Sequence, residues 1–295
     1  EFLIKEQDAQ STFIPEEINE EQQMFREMTR DFLEKEVHHL RAKIDKQTEN
    51  PDIIPQLMEK AAALGILGAA LPEEYGGMSV DFNSESVLSE ELGKSQSFSV
   101  ALAAHMGIGT LPILYYGTDA QKKKYLTGLG DGSIKAAYCL TEPDSGSDAL
   151  AAKSKAVLDG DEWVLNGAKM WITNAGFADL FTVFAQVDGD KFTGFLVEKG
   201  TPGLSLGDEE VKLGIKGSST RQVFLDDVRI PKDNLLGEIG KGHKIAFNVL
   251  NIGRYKLCAM VMGGSKRSID VAVNYANERH QFGVPISSFG AIQHK

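Results

Sequence analysis

Three dipeptides, Asp159-Gly160, Asn166-Gly167 and Asp188-Gly189, each separate two runs rich in β-branched and aromatic residues. A two-residue type I′ turn needs φ > 0 at both central positions, so Asp-Gly or Asn-Gly between apolar runs is a strong local signal for a hairpin. The runs lie at about 153–158, 161–165, 168–173, 180–187 and 191–198, with a further strand at 221–224 before Asp226-Asp227. They commit residues 129–232 to an antiparallel β domain, barrel-like or a pair of packed sheets. The strand–helix alternation of a parallel sheet is absent, and so is GxGxxG. A dinucleotide held here would not be held by a Rossmann unit.

The flanks have helical period. Met24, Phe25, Met28, Phe32, Leu33, Val37 and Leu40 recur at helical spacing after Pro15, which suits a first turn. A second helix is expected from Pro55 to Leu64, stopped by Gly65. Others follow at roughly 81–92, 97–116 and 119–127, with Gly93 and Gly117 as punctuation and Asp119 as N-cap. Residues 1–128 thus read as a helical domain behind an extended arm at 1–14. His38 and His39 are adjacent, point in different directions and are expected to be solvated. From 233 to 295 the period returns. Ile245, Val249, Ile252, Leu257, Met260 and Val261 mark one helix running past Gly263-Gly264 toward Tyr275, and glycines inside a helix suggest close packing against another. Glu278–Gly283 interrupts, and Ser287 or Ser288 is the expected cap of a last helix. The fold class is α+β in three parts: helical, β, and the beginning of a second helical domain.

Charge narrows the function. Lys plus Arg is 31 and Asp plus Glu 42, a net −11, which argues against a general nucleic-acid binder. An anionic substrate stays open, because local cations can hold one. Cys139 and Cys258 are too few for a disulfide framework and lack metal-ligand spacing. Both lie in apolar stretches and are expected to be buried thiols, as in a reducing compartment. The sequence shows no membrane-spanning apolar run, signal peptide or Arg-rich transit segment. It begins without Met and stops as a helix starts, so a fragment of a longer protein is expected.

The chemistry centres on Tyr138-Cys139-Leu140-Thr141-Glu142-Pro143-Asp144-Ser145-Gly146-Ser147-Asp148, a strand that opens into a Gly/Ser loop able to present N–H groups and hydroxyls to an anion. One hairpin later comes Asn166-Gly167-Ala168-Lys169-Met170-Trp171-Ile172-Thr173-Asn174. The ordered pair resembles the flavin-binding signature of the acyl-CoA dehydrogenases. The resemblance continues through LGIKGSSTRQVFLDDVRIP and LNIGRYKLCAMVMGG to ERHQFG, and is closest to the very-long-chain branch.

The resemblance implies FAD as cofactor and a role for each matched residue. Tyr138, Leu140 and Thr141 would lie along the flavin, with Thr141 bonded to it; the alternative for Thr141 is a turn-initiating hydroxyl. Gly146 and Ser147 would approach the pyrophosphate or the substrate thioester. Trp171 would cover one flavin face and Thr173 bond its edge, although a Trp in a hairpin is more often core. Arg279, Gln281 and Phe282 match the segment by which a neighbouring subunit reaches the FAD adenine and pyrophosphate; otherwise Arg279 is an exposed Arg after a helix. Gly290 stands where some branches carry a glutamine. Asn251 and Arg254, three apart on one helix face, match positions that border the CoA. Arg254 is read as the cation of an otherwise apolar face, in need of an anion or carbonyl partner. Ser218, Ser219 and Thr220 resemble the GxRxSxT turn, with Lys216 for the common Arg.

The implied reaction desaturates a fatty acyl-CoA between Cα and Cβ and passes electrons to an electron-transferring flavoprotein. It needs a carboxylate base, a polarised thioester and a flavin to take the β-hydride. Gly253 stands where a minority of the family carry the base, and Glu142 is given a structural role. No catalytic residue is therefore assigned, and the base is expected beyond Lys295. Gly107 and Gly109 resemble the end of the acyl pocket and suggest a deep pocket for a long chain, the alternative being glycines for helix packing. No metal is implied. An acyl-CoA oxidase and a non-catalytic assembly subunit are the competing functions. The implied assembly is a homo-oligomer, dimer or tetramer. The expected location is the cytoplasm of a bacterium or the mitochondrial matrix side of a eukaryote.

Overall fold

The computed structural model describes residue 8 and residues 12–295, so most of the expected N-terminal arm lies outside the described residues. Helix α1 (Glu20–Phe32) starts at Asn19, whose side chain accepts from the Gln22 N–H at 2.8 Å, while Gln22 Oε1 accepts from the Asn19 N–H at 3.2 Å. This reciprocal cap satisfies two otherwise unpaired donors. The chain passes through a π turn (Leu33–Val37) and a 3₁₀ turn (His38–Leu40) into α2 (Arg41–Ile44). His39 is exposed, but His38 is half-buried, contrary to expectation, and burial followed by the nearby Arg267 charge pulls its pKa down. Then come α3 (Ile53–Ala63), α4 (Phe82–Leu92), α5 (Ser97–Ala103), a π turn (Ala104–Gly109), α6 (Leu111–Tyr116) and α7 (Asp119–Gly130). Thr118, not Asp119, caps α7, because Gln121 three residues on completes the reciprocal cap. The run Ser97–Tyr116 is, contrary to the sequence reading, long and apolar enough to cross a membrane, yet 72% of it is buried inside the protein.

His105 ties that buried run to the rest. Its Nε2 lies 2.8 Å from the Leu129 carbonyl and its Nδ1 3.1 Å from the Ala136 nitrogen. One arrangement satisfies both: Nε2–H donates to Leu129 and Nδ1 accepts from Ala136. The ring is fully buried, and burial pulls its pKa down to about 4.

The middle of the chain holds β1 (Ala136–Cys139), β2 (Lys155–Asp159), β3 (Glu162–Thr173), β4 (Leu180–Val187), β5 (Lys191–Glu198), β6 (Leu204–Glu209), β7 (Thr220–Pro231) and β8 (Leu235–Leu236). They form one sheet in the order β6-β7-β3-β2-β4-β5-β8, with β1 also on β4. Two of the expected hairpins form, β2–β3 around Gly160 and β4–β5 around Gly189. The third does not. Asn166-Gly167 lies inside β3, where β7 bulges: Asn166 stands against both Asp226 and Asp227, Asn166 Nδ2 donates to Asp227 Oδ1 and the Asp227 N–H donates to Asn166 Oδ1, both at 2.9 Å. The sheet is not wholly antiparallel either: β1 and β2 lie end to end along one edge of β4, both parallel to it. Strand β6 was not anticipated.

Strand β4 is buried at every position and serves two cores. Phe181 and Val183 join Trp163, Ile172, Phe195 and Val223 within the sheet. Leu180 and Phe184 meet Leu126, Leu129, Tyr138 and Ile245 where the helices dock. A third core around Phe32, Leu57, Met58 and Phe98 belongs to the N-terminal helices.

Helix α8 (Gly242–Glu278) is one 37-residue element that crosses α4 in close contact. A Cβ on Gly263 would stand 1.7 Å from the Glu90 carbonyl oxygen, and one on Gly93 2.0 Å from that of Met260. The expected packing role of the glycine pair therefore belongs to Gly263; a Cβ on Gly264 would come no closer than 3.4 Å. Beyond α8 lie a small hairpin, β9 (His280–Gln281) with β10 (Val284–Pro285), and α9 (Gly290–Gln293), whose N-cap is Phe289 and not a serine. Cys139 is buried and held up at a pKa of about 12 by burial, whereas Cys258 is exposed, against expectation.

Candidate active site

The Gly/Ser loop leaves β1 and is pinned to β3 at two points. The Met170 N–H donates to the Thr141 carbonyl at 2.9 Å, and Lys169 Nζ meets Glu142 Oε1 at 2.6 Å. Glu142 also accepts the N–H groups of Lys153 at 2.6 Å and Ser154 at 3.1 Å, so one carboxylate closes the loop on itself. Burial pushes the Glu142 carboxyl up, but Lys169 and these hydrogen bonds outweigh it and hold the pKa below the usual value. Burial lowers that of Lys169. Glu142 is thus structural, as expected, and its partner Lys169 is the residue that sequence reasoning left without a role. A Lys inside a strand, two residues before the tryptophan of the flavin-like motif, was the available signal.

Trp171 follows two residues later. Its φ is +57°, left-handed for a bulky side chain, and it sits where the β3–β7 register slips between Lys169 and Ile172. Such a backbone persists only where its surroundings impose it, and functional sites are where it concentrates. The indole is 61% exposed. Trp163, not Trp171, is the core tryptophan of this strand. Thr141 and Thr173 flank Trp171, half-buried, and neither hydroxyl bonds a described residue. Tyr138 is buried edge-on to Phe184, with its hydroxyl on the Ala246 carbonyl at 3.4 Å, and Leu140 packs half-buried on the same core. Both support the loop from beneath. Gly146 and Ser147 lie at the surface; a Cβ on Gly146 would meet nothing within 4 Å, so no packing in the chain demands a glycine there.

Thr173 also lines a cavity of about 300 Å³ between α4, the α5–α6 run and α8. Its walls are mostly apolar, including Val100, Ala103, Ala104 and Met260. Gly107 faces it, and a Cβ there would meet nothing within 4 Å. Gly109 does not line it: its Cβ would stand 2.8 Å from Ala136 Cβ, so it is a packing glycine. Arg254 lines the cavity, but exposed and bonded to Asn251 Oδ1 at 2.6 Å. The buried cation of this helix is Lys256, paired with Glu85 of α4 at 2.5 Å. Sequence periodicity could not find that pair, because its halves lie far apart in the chain.

The GIKGSST turn is organised by Glu209, another residue missed. Glu209 accepts from Ser219 Oγ at 2.7 Å, the Thr220 N–H at 2.8 Å, Arg221 Nε at 2.7 Å and Gln47 Nε2 at 3.1 Å. Ser219 Oγ accepts from the Gly176 N–H at 3.0 Å, and the Asn174 N–H donates to the Ser219 carbonyl at 3.0 Å, so the turn steadies the end of β3. Lys216 is exposed. Arg279, Gln281 and Phe282 are exposed at the C-terminal hairpin, Phe282 at 94%, and among the described residues no hydrogen bond joins them to Thr141 or Trp171.

Residues 19–133, 137–228 and 240–295 match, in turn, the N-terminal, middle and C-terminal domains described for acyl-CoA dehydrogenases. A probable acyl-CoA dehydrogenase of Bacillus subtilis is 51% identical over all of this chain and half of its own length. The human mitochondrial short-chain specific acyl-CoA dehydrogenase is 40% identical over 95% of this chain and 68% of its own. The crystal structure of an acyl-CoA dehydrogenase from Bacillus anthracis complexed with FAD superposes with a TM-score of 0.94 at 47% identity, covering 99% of this chain and 50% of that one. The chain thus spans about half the length of two of these relatives. With the pinned loop, the exposed tryptophan and the apolar cavity all in the domains that match, the chain belongs to the acyl-CoA dehydrogenase family.

Proposed function

We propose that these residues are the flavin- and acyl-binding part of an FAD-dependent dehydrogenase acting on long-chain acyl-CoA, in the manner of the very-long-chain branch. The observation that carries the reading is Trp171, exposed on a left-handed backbone between the unpaired hydroxyls of Thr141 and Thr173, with Thr173 opening into an apolar cavity. A flat heteroaromatic ring with hydrogen-bonding edges suits that platform, and the residues present fit FAD. When bound, FAD supplies the acceptor for the β-hydride.

The chain's own residues do the rest. Thr141 and Thr173 hold the ring edge, Trp171 shields a face from water, and Gly146 leaves room for a diphosphate to approach the backbone. The cavity aligns an alkyl chain beside them, and Asn251 and Arg254 border the CoA. Val100, Ala103, Ala104 and Gly107 leave its wall open, which favours a long chain. Among the described residues the one carboxylate lining the cavity, Glu85, is engaged by Lys256, which supports a base contributed from outside residues 1–295. The exposed Arg279–Phe282 segment reaches the cofactor of a second copy, which makes the working protein a homo-oligomer. Its electrons pass to an electron-transferring flavoprotein. The location is the cytoplasm of a bacterial host or the mitochondrial matrix side of a eukaryotic one.

The test is anaerobic: palmitoyl-CoA is added to FAD-loaded full-length protein and to residues 1–295, and the visible flavin absorbance is followed. The expected result is bleaching of the former and not of the latter. Bleaching of neither by palmitoyl-CoA or by C4–C8 thioesters overturns the enzyme reading, turnover confined to C4–C8 thioesters overturns the long-chain reading, and stoichiometric peroxide in air replaces dehydrogenase by oxidase.

A further inference from the structure

The cavity wall contains more polar capacity than an alkyl chain can use. Lys256 Nζ and Glu85 Oε1 are 2.5 Å apart, with side chains 11% and 7% exposed, and both line the cavity. An ammonium has three donors, and among the described residues Lys256 spends one, on Glu85. Ser89, one turn after Glu85 and so on the same helix face, lines the cavity too, is buried, and its hydroxyl bonds no described residue. Desolvated donors without acceptors are costly, and buried polar groups nearly always find a partner. In a mostly apolar cavity, with Arg254 already bonded to Asn251, a bound oxygen is such a partner. A carboxylate would set a second negative charge beside Glu85. A hydroxyl is neutral, accepts from Lys256 and donates to the carboxylate or to Ser89, so it matches the wall in both directions.

We propose that Lys256, Glu85 and Ser89 form a hydroxyl-binding subsite in the acyl pocket, and that the protein selects acyl-CoA thioesters with a hydroxyl on the alkyl chain over plain chains of equal length. The inference rests on the acyl-CoA reading above and adds the substrate class. The pair also bridges α4 and α8, and a purely structural role would shift affinity for every thioester together.

The experiment measures dissociation constants of the FAD-loaded, full-length protein for matched plain and ω-hydroxyacyl-CoA at even lengths from C6 to C16. It is repeated for Lys256→Met, Glu85→Gln and Ser89→Ala, the last serving if the ion-pair variants do not fold. The expected result is a length at which the wild type prefers the hydroxylated chain by about tenfold, with that ratio falling toward one in the variants. A ratio near one at every length, or a preference that survives all three substitutions, overturns the subsite and leaves a helix-bridging pair. Failure of every thioester to bind overturns the acyl-CoA reading along with it, and the plain-chain series tells the two failures apart.

Discussion

Removing either half of the Lys169–Glu142 pair should destabilise the fold, and the two halves should not cost the same. Both side chains are out of water, Lys169 at 0% and Glu142 at 5% exposure, so a single substitution strands a buried charge. Breaking such a pair costs about 3–5 kcal/mol. After Lys169→Met, Glu142 still accepts the Lys153 and Ser154 N–H groups, which places that variant near about 3 kcal/mol. After Glu142→Leu, Lys169 keeps only the Leu140 carbonyl at 3.4 Å, which places that one at about 5 kcal/mol. The double variant should cost less than Glu142→Leu by itself, because no charge is left unpaired. Urea unfolding gives each value from the midpoint and slope. Glu142 adds an acid-side signature. Its pKa is lowered in the fold, so its stabilisation is present above the usual carboxylate range and lost as pH falls through the folded value, and Lys169→Met should flatten that loss. Single costs in the reverse order, or a double cost equal to their sum, would refute the coupling.

His105, neutral and buried with its pKa pulled down to about 4, should weaken the fold progressively between pH 6.5 and 4, where the unfolded chain binds a proton that the folded one refuses. The loss should approach roughly 3 kcal/mol, and His105→Gln should remove that slope in unfolding midpoints measured across the range. Gly263→Ala should cost more than about 1–3 kcal/mol in urea, because its Cβ would meet the Glu90 carbonyl at 1.7 Å, whereas Gly264→Ala, whose Cβ would sit in ordinary contact 3.4 Å from the Gly93 carbonyl, should gain up to about 1 kcal/mol of helix propensity. Trp171→Gly should stabilise the FAD-free protein by about 1 kcal/mol through relief of its left-handed backbone, while weakening FAD binding in a fluorescence titration; unchanged FAD affinity would remove Trp171 from the site.

Local signals carried the three-part organisation and most element positions, because glycine punctuation and hydrophobic period act within a few residues. They misread Asn166-Gly167, which continues a strand opposite a bulge of β7 and makes no turn. What decided between strand and turn was β7, which pairs with β3 on both sides of the bulge and sets Asp227 against Asn166. Trp171 and Thr141 were legible as a site from motif order, but that Trp171 faces water was not, since a strand gives an indole two faces and the register slip chooses. The error at Arg254 has the same origin. Period alone put one cation on the inner face, and only the docking of α4 shows that Lys256 is buried there and Arg254 is not.

Following where the charges are spent separates scaffold from site. Glu142, Lys169 and Glu209 are satisfied within the chain, each holding a loop or strand end beside Trp171. His105 is satisfied as well and fixes the π turn that carries Gly107. Each is engaged in holding the scaffold, and replacing one should act through stability before it acts on binding. Among the groups without a full set of described partners, Thr173, Ser89 and two donors of Lys256 line one cavity, whereas Thr141 and the buried Ser154, Thr182 and Ser218 hydroxyls lie outside its lining. A fold with these groups facing inward and unpaired would lose free energy at each of them in the absence of a ligand or water. Their convergence is therefore a physical argument for occupancy that does not depend on any relative. It also predicts where binding energy concentrates: at the ring-edge threonines for the cofactor, and at the α4–α8 wall for the acyl chain.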